Sequence, residues 1–554
     1  MRKLQPTSYE EFLSTCQVDV PQHFNFAFDV LDAVAEEDPD RLALVHVDPI
    51  GAARQITYGW LRERSARLAN ALAEQGLGKG DRVMLILYRR VEYWVSMLAL
   101  HKIGALPIPS PSLLTTKDII ERANYANIKG IICEDSVVAK VEAARPDSPS
   151  FQVLVQAGDV RHPEGWLGFD AICDAAAPSF PRTPDSPGGD DSLVIFFTSG
   201  TTGLPKMVLH THTYPLGHWT TGAYWHDLRP GDLHLTLSDT GWAKSVWGKF
   251  YGQFMAGAAV FVWDFRGKFE PADLLSILAE HKITTFCAPP TVYRFLIRED
   301  FSKYDLSALR HCTTAGELLN DSVFEEWKKG TGLPIYEGYG QTETCLQVGT
   351  FPFMEPRPGS IGKAAPGWEI VLLGETGQPV PEGDEGEICI RLKDDSPTGG
   401  VLGLFAGYMD EPEKTASVKF DGWYHTGDKA WADEDGYLWF MGRTDDLIKA
   451  SGYRIGPFEV ESALVSHEAV VEAAVTGVPD PVRGQVVKAT VVLAPGFTPG
   501  AELIKTLQDH VKMVTAPYKY PRIIEFIDEL PKTISGKIKR AEIRAADIKK
   551  YSLN

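Results

Sequence analysis

Apolar positions along this chain switch repeatedly between two periods. From Ile56-Thr57-Tyr58 a helical spacing runs, with Leu61, Leu68 and Leu72 on one face, until Gly76 and Gly78 stop it. Asp81-Arg-Val-Met-Leu-Ile-Leu-Tyr88 then reads as a strand, and residues 91–100 as a buried helix ended near Gly104. Ile131-Ile132-Cys133 and Val153-Leu154-Val155 repeat the short apolar strand between helical stretches. That alternation predicts a mostly parallel α/β sheet with helices on both faces. A second α/β half spans about 207–345, with strands at 233–237, 259–262 and 284–288 and a helix at 272–281. From Gly359 the pattern changes to short strands between Gly, Asp and Pro turns, and Asp433-Glu-Asp-Gly436 between aromatic runs predicts a hairpin in a small β subdomain. After residues 442–446 the chain reads as a separate α+β unit. Helices are expected near 457–466 and 499–513, strands near 470–476, 485–494 and 522–527, and a basic helix at the tail. Residues 1–55 read as a leading segment with turns at 36–40 and Gly51.

Composition narrows the classes. A chain of 554 residues makes several units of ~150. With 44% hydrophobic and 23% charged residues it is ordinary globular material. A net charge of −19 argues against a nucleic-acid binder, which shows a basic face. Any phosphate ligand must therefore meet locally placed Lys, Arg and backbone donors. The seven cysteines are scattered without a C-x-x-C pair or metal-ligand spacing, and read as buried small apolar residues in a reducing compartment. The start, Met1-Arg-Lys-Leu4, soon meets Glu10-Glu11 and has neither a signal-peptide core nor an Arg-rich, acid-poor transit character. No apolar run approaches a membrane span. A cytoplasmic protein is expected.

Five stretches carry more chemistry than folding requires. The first is Thr198-Ser199-Gly200-Thr201-Thr202-Gly203-Leu204-Pro205-Lys206, directly after the apolar run Ser192-Leu-Val-Ile-Phe-Phe197. Glycines let the backbone approach a ligand, successive N–H groups form an anion-binding concavity, and four hydroxyls and a lysine add donors. The set suits a polyphosphate, although Pro205-Lys206 stands where a Walker A loop wants Gly-Lys. Taken alone, an ordinary Ser/Thr/Gly turn explains it equally well. The others are Thr314-Ala-Gly316-Glu317, the run Tyr336-Glu337-Gly338-Tyr339-Gly340-Gln341-Thr342-Glu343, Tyr424-His-Thr-Gly-Asp428 with Arg443 beyond it, and the basic pair 449–454 and 531–540, which includes Lys537. Singly, these also read as turns, a surface ion pair and solvated basic loops.

Their order and spacing resemble the AMP-forming acyl-CoA synthetases, in the adenylate-forming superfamily that includes firefly luciferase and carrier-protein adenylation domains. The resemblance covers about residues 25–545. It is strongest toward the medium-chain acyl-CoA synthetases, through residues 238–242, 451–457, 479–484 and 515–521. It implies an α/β N-terminal domain of residues 1–444, comprising two α/β subdomains and a β subdomain, with a small mobile α+β C-terminal domain of residues 445–554 after a hinge at Asp445. ATP, Mg2+ and coenzyme A are the implied cofactor and co-substrates. Thr198, Ser199, Gly200, Thr201, Thr202, Gly203 and Lys206 would cradle the outer phosphates, and Glu343, beside Thr342, would hold Mg2+. Gly316, Glu317, Glu337, Gly338, Tyr339, Gly340 and Gln341 would line the adenine pocket, Tyr339 by stacking. Asp428 would take the ribose hydroxyls, with Arg443 nearby, and Lys537 would bridge the attacking carboxylate and the phosphate. Ser451, Gly452, Tyr453 and Arg454 would form the thiol path, with Arg454, Arg483 and Lys512 on CoA phosphates. Gly241 and Trp242, with Lys244, would border the acid, one of small to medium size, with branched, cyclic and aromatic acids included. The rivals are an enzyme loading a carrier-protein thiol, a non-catalytic nucleotide- or CoA-binding module and a light-emitting oxygenase. The partners implied are small molecules, with no nucleic acid and no membrane span. A homodimer stays open.

Overall fold

The parallel strands that the apolar runs predict form two separate sheets. The computed structural model describes residues 3–158, 160–198, 205–444, 446–450, 453–480, 483–532 and 538–551. The first sheet runs Leu106–Pro109, Arg82–Ile86, Gly130–Glu134, Val153–Ala157, Leu167–Gly168, all parallel. Helix Val91–Ile103 is buried on all sides, and Gly104 ends it at φ +74°, a conformation glycine adopts without a Cβ penalty. The second sheet has a parallel run of Ile335–Tyr339, His311–Ala315, Thr285–Cys287, Leu233–Thr236, Ala259–Trp263 and Leu42–Val47. Strands buried on both faces are near-continuously apolar, which is why the short runs were visible.

Two expectations change. The leading segment is part of the core: Leu42–Val47 pairs parallel with Ala259–Trp263 and antiparallel with Ala53–Thr57. Its turn residues masked an apolar strand. The β-rich stretch after Gly359 also has no sheet of its own. Val348–Gly349 and Ser360–Ala364 carry the second sheet on through antiparallel pairs to Leu438–Arg443, Trp423–Ala432, Gly386–Arg391 and Ile370–Leu373. Gly362 permits that junction, since a Cβ there would lie 2.1 Å from the Gly349 carbonyl carbon. The hairpin around residues 433–436 forms as predicted.

From Ile448 onward the strands pair among themselves: Tyr453–Ile455, Ile448–Ala450, Gly484–Leu493 and Val470–Asp480, with Ile523–Phe526 parallel to Gly484–Leu493. Helices Pro457–Val465 and Ala501–Val514 cover a separate apolar core that includes Val460, Leu464, Leu507 and Val511. Among the described residues no helix is long and apolar enough to cross a membrane.

One buried charge cluster secures this last unit. Lys488, in its central strand, pairs with Asp547 of helix Arg540–Tyr551 and with Glu525 at 3.0 Å, and Thr476 Oγ1 donates to Asp547 Oδ2 at 2.7 Å. Replacing Lys488 with Ala leaves Asp547 buried without its cation, a loss of about 3–5 kcal/mol. Amide exchange in strand Val470–Asp480 should accelerate accordingly, while the two parallel sheets exchange as before. Unchanged protection in that strand would refute the role.

Candidate active site

Strand Ser192–Thr198 is followed by an antiparallel partner, Lys206–Thr211, with Thr198 directly opposite Lys206. The two ends of the Ser/Thr/Gly loop are thus held side by side. Ser199, Gly200, Thr201, Thr202 and Gly203 lie outside the described residues. At the loop's exit, Lys206 Nζ donates to the Tyr408 hydroxyl at 3.3 Å, and that hydroxyl donates to Glu343 Oε1 at 2.9 Å. Tyr408 reaches this place on the short strand Gly407–Tyr408, paired with Val208 and Leu209. The Glu343 carbonyl accepts the Phe405 N–H at 2.8 Å, which fixes the backbone behind the carboxylate.

After Ile335–Tyr339 the chain turns through residues 340–345. Gln341 N–H donates to Thr344 Oγ1 at 2.9 Å, and the Thr342 carbonyl meets His210 Nε2 at 2.8 Å. Gly340 is required here: a Cβ would lie 2.3 Å from the Trp247 ring and 2.5 Å from the Cys345 carbonyl oxygen. Asp428 and Arg443 face each other across their ladder, with Oδ1 and Nη1 at 3.6 Å. The other carboxylate oxygen, Oδ2, accepts the Tyr339 hydroxyl at 2.5 Å and Gln341 Nε2 at 2.6 Å. Tyr424 donates to Gln341 Oε1 at 2.7 Å and orients that amide. Burial raises the Asp428 pKa even though Arg443, Tyr339 and Gln341 all favour its charged form. Tyr339, Gln341, Thr342, Glu343, Asp428 and Arg443 are therefore brought into one connected site.

Other predicted residues have different partners. Glu337 is buried, its carboxyl pushed up to about 8 by desolvation, and it accepts the Leu319 and Gly359 N–H groups at 3.0 and 3.2 Å. Glu317 accepts Thr291 Oγ1 at 2.8 Å and Arg294 at 3.1 Å. Gly316 stands at φ +101°, and Lys244 Nζ donates to the Ala315 carbonyl beside it at 2.5 Å. A Cβ on Gly338 would meet Trp225 at 2.6 Å, and one on Gly241 would meet the Pro111 backbone nitrogen at 2.3 Å, so both mark close packing. Trp242 immediately precedes helix Ala243–Lys249. In the C-terminal unit, half-exposed Tyr453 stacks on Tyr518 at 4.2 Å, Lys512 pairs with Asp509 at 2.8 Å, and the Arg483 N–H donates to Asp480 at 2.8 Å. Asp445, Ser451, Gly452, Lys537 and the Arg454 side chain lie outside the description.

Sequence reasoning missed Tyr408, His210 and Lys249. Lys249 is fully buried with its pKa lowered to about 7 by desolvation, and it donates to the Ser238 carbonyl at 2.6 Å. A lysine amid apolar residues on a buried helix was its one visible signal.

Known proteins resemble this chain over nearly its whole length. The description "AMP-binding enzyme" matches residues 31–401, and "AMP-binding enzyme C-terminal domain" matches residues 459–537. The mitochondrial acyl-coenzyme A synthetase ACSM3 of Mus musculus is 43% identical over 550 residues, covering 97% of this chain and 93% of that protein. The crystal structure of the anthranilate CoA ligase AuaEII in complex with anthranoyl-AMP superposes with a TM-score of 0.87 at 31% identity, covering 97% of this chain and 99% of that one. A benzoate CoA ligase from Burkholderia xenovorans LB400 gives 0.81 at 29% identity, covering 94% and 100%. The relatives at 42–43% identity are mitochondrial proteins, which overturns the cytoplasmic expectation. That expectation read an address from the bulk composition of the first residues.

Buried imidazoles set the response of the fold to acid. Burial lowers His210, His212 and His234 to about 3 and His311 to about 4, from an ordinary 6.5. Between those values the unfolded chain binds protons that the folded chain refuses, so stability rises with pH through this window and is lost as pH falls below 6.5. Each such group contributes about 1.4 kcal/mol per pH unit there. Glu337, raised to about 8 from 4.5, acts with the opposite sign across 4.5 to 8, as one group against these four. The thermal midpoint should fall from pH 7 to pH 5, and His210→Asn should flatten that slope. A midpoint constant over this range would contradict the neutral imidazoles.

Proposed function

The chain belongs to the AMP-binding enzyme family and is an AMP-forming acyl-CoA synthetase, and on that premise we propose that the turn 339–343 with Lys206, Asp428 and Arg443 is its adenylation centre. The enzyme activates a carboxylic acid with ATP, then transfers the acyl group to CoA, with ATP and CoA as co-substrates. Adenylation is an in-line attack of carboxylate on the α-phosphate, so the protein's work is positioning and charge neutralisation. One observation carries the assignment. Glu343, joined through Tyr408 to Lys206, and Tyr339 and Gln341, which both donate to the Asp428 carboxylate, lie in the same five-residue stretch 339–343.

Roles follow from the chemistry at each position. Lys206, with the loop 198–206, takes the outer phosphates, and Asp428 accepts ribose hydroxyls beside Arg443. Tyr339 offers its ring to adenine while its hydroxyl stays on Asp428. Mg2+ binds through one or two carboxylates plus substrate phosphate oxygens. Glu343, a single carboxylate adjoining a phosphate-binding cation, fits that requirement, and the ion would neutralise triphosphate charge there. Lys537 stabilises the charge that builds during transfer. The second step needs the same carbon to meet a thiol. By the family resemblance, residues 445–554 would turn about Asp445, withdrawing Lys537 and presenting residues 451–454, with Arg454, Arg483 and Lys512 toward CoA. The order of the motifs supports this alternation.

The acid is small to medium in size, a class that takes in branched, cyclic and aromatic acids. Trp247 packs against Gly340, and buried Tyr214, His218 and Tyr251 follow behind it, with His218 5.7 Å and 6.0 Å from the rings of Tyr251 and Trp247. The stretch 245–251, with buried Trp247, Phe250 and Tyr251, is bulkier than an open aliphatic channel needs. The anthranilate and benzoate ligases of similar fold act on compact acids.

Pyrophosphate release with ATP, Mg2+ and CoA, measured across acids from acetate to palmitate with branched and aromatic members, should peak at a compact acid with matching thioester. Trp247→Ala should move the peak toward longer chains. Palmitate as best substrate of the unsubstituted enzyme would defeat the reading. Separately, Lys537→Ala should lose at least ~10² in adenylation yet convert supplied acyl-adenylate and CoA to thioester. Gly452→Leu should do the reverse, and equal losses in both steps would dismiss the alternation.

A further inference from the structure

Tyr408 belongs to none of the five stretches, yet its hydroxyl joins two of them. The O–H donates to Glu343 Oε1 at 2.9 Å, and its oxygen accepts Lys206 Nζ at 3.3 Å. The ammonium also stands 4.6 Å from the ring centroid. Every part of the residue is fixed. The side chain is buried, its ring packs 5.0 Å from that of Phe405, its N–H donates to Thr415 Oγ1 at 2.9 Å, and its strand is paired with Val208 and Leu209.

A lysine and a glutamate on adjoining segments would otherwise pair directly. Such a contact satisfies each charge with the other, and a phosphate or a cation would have to break it before binding. An interposed phenol changes this. It gives the carboxylate a neutral donor and the ammonium a neutral acceptor, aligning both while leaving their net charges available.

We propose that Tyr408 is a positioning residue of the triphosphate site, holding the Glu343 carboxylate and the Lys206 ammonium apart and aimed at one metal–triphosphate ligand. The inference rests on the roles given above to Lys206 and Glu343. It requires neither proton transfer nor covalent chemistry from the phenol.

Tyr408→Phe removes the hydroxyl and keeps the ring. On the full chain without acid or CoA, calorimetric titration with ATP and Mg2+ should show affinity weakened by about tenfold or more, as for a hydrogen bond to a charged group. Titration with AMP, which lacks the outer phosphates, should be unchanged. In turnover the KM for ATP should rise, while the KM values for acid and CoA and the thioester step from supplied acyl-adenylate hold. Glu343→Gln and Lys206→Ala serve as references. If both weaken Mg·ATP binding and Tyr408→Phe does not, the inference is overturned while the site stands. If neither reference weakens it, the site reading fails and the inference with it. If Tyr408→Phe lowers AMP binding, both half-reactions and the thermal midpoint together, the residue is merely structural and the proposal falls.

Discussion

A carboxylate removed from water must be given other partners or give up its charge. Asp428 occupies that position, and the surrounding structure is arranged around satisfying it. Its two oxygens are divided: one receives Tyr339 and Gln341, the other faces Arg443. Those partners come from the end of a parallel strand, from the turn after it and from the far arm of a hairpin. A shift in any of these elements would leave a buried charge short of a donor, at a cost comparable to that of a broken buried ion pair, about 3–5 kcal/mol. Tyr424, in the same strand as Asp428, extends the constraint by orienting Gln341.

Much of this was legible because each signal was local. Short apolar runs between helical stretches are what strands buried on both faces must look like, and both parallel sheets were found from them. The turn at 433–436 was visible from its own residues. What sequence could not give is register. Ala430 faces Phe440, but a bulge intervenes and Lys429 faces Gly442, so that Asp428 meets Arg443. Without that one-residue shift the guanidinium would lie a position out of line. No residue type in the stretch announces the bulge.

Contacts between distant segments were equally hidden. Tyr408 is separated from Lys206 by 202 positions and from Glu343 by 65, and Gly407-Tyr408 has no composition that distinguishes it from any other turn. Cysteine spacing showed no ligand pattern, yet sheet pairing sets Cys389 opposite His425, with the imidazole 3.4 Å from its sulfur and 3.0 Å from Glu387. Glu337 looked like part of a nucleotide motif, but its carboxyl is engaged by two backbone N–H groups. Motif membership identifies a stretch. It does not distinguish which side chains in that stretch face a ligand and which brace the fold.

The continuity of the second sheet bears on behaviour outside catalysis. Had the β-rich stretch formed its own sheet, two further open margins would have been exposed, each a template on which another chain could add strands. Among the described residues, fusing it through Gly349 and Gly362 leaves the main run of strands with two ends, Ala53–Thr57 and Ile370–Leu373, beside the two-residue strand Lys419–Phe420 that pairs with Trp423–Ala432. Both are short. The first carries Arg54 folded over Trp60, and beside the second Glu369 pairs with Arg391. Brevity and charge at the margins are the ordinary defences against intermolecular strand addition, so the junction that completes the site also protects a large sheet from self-association.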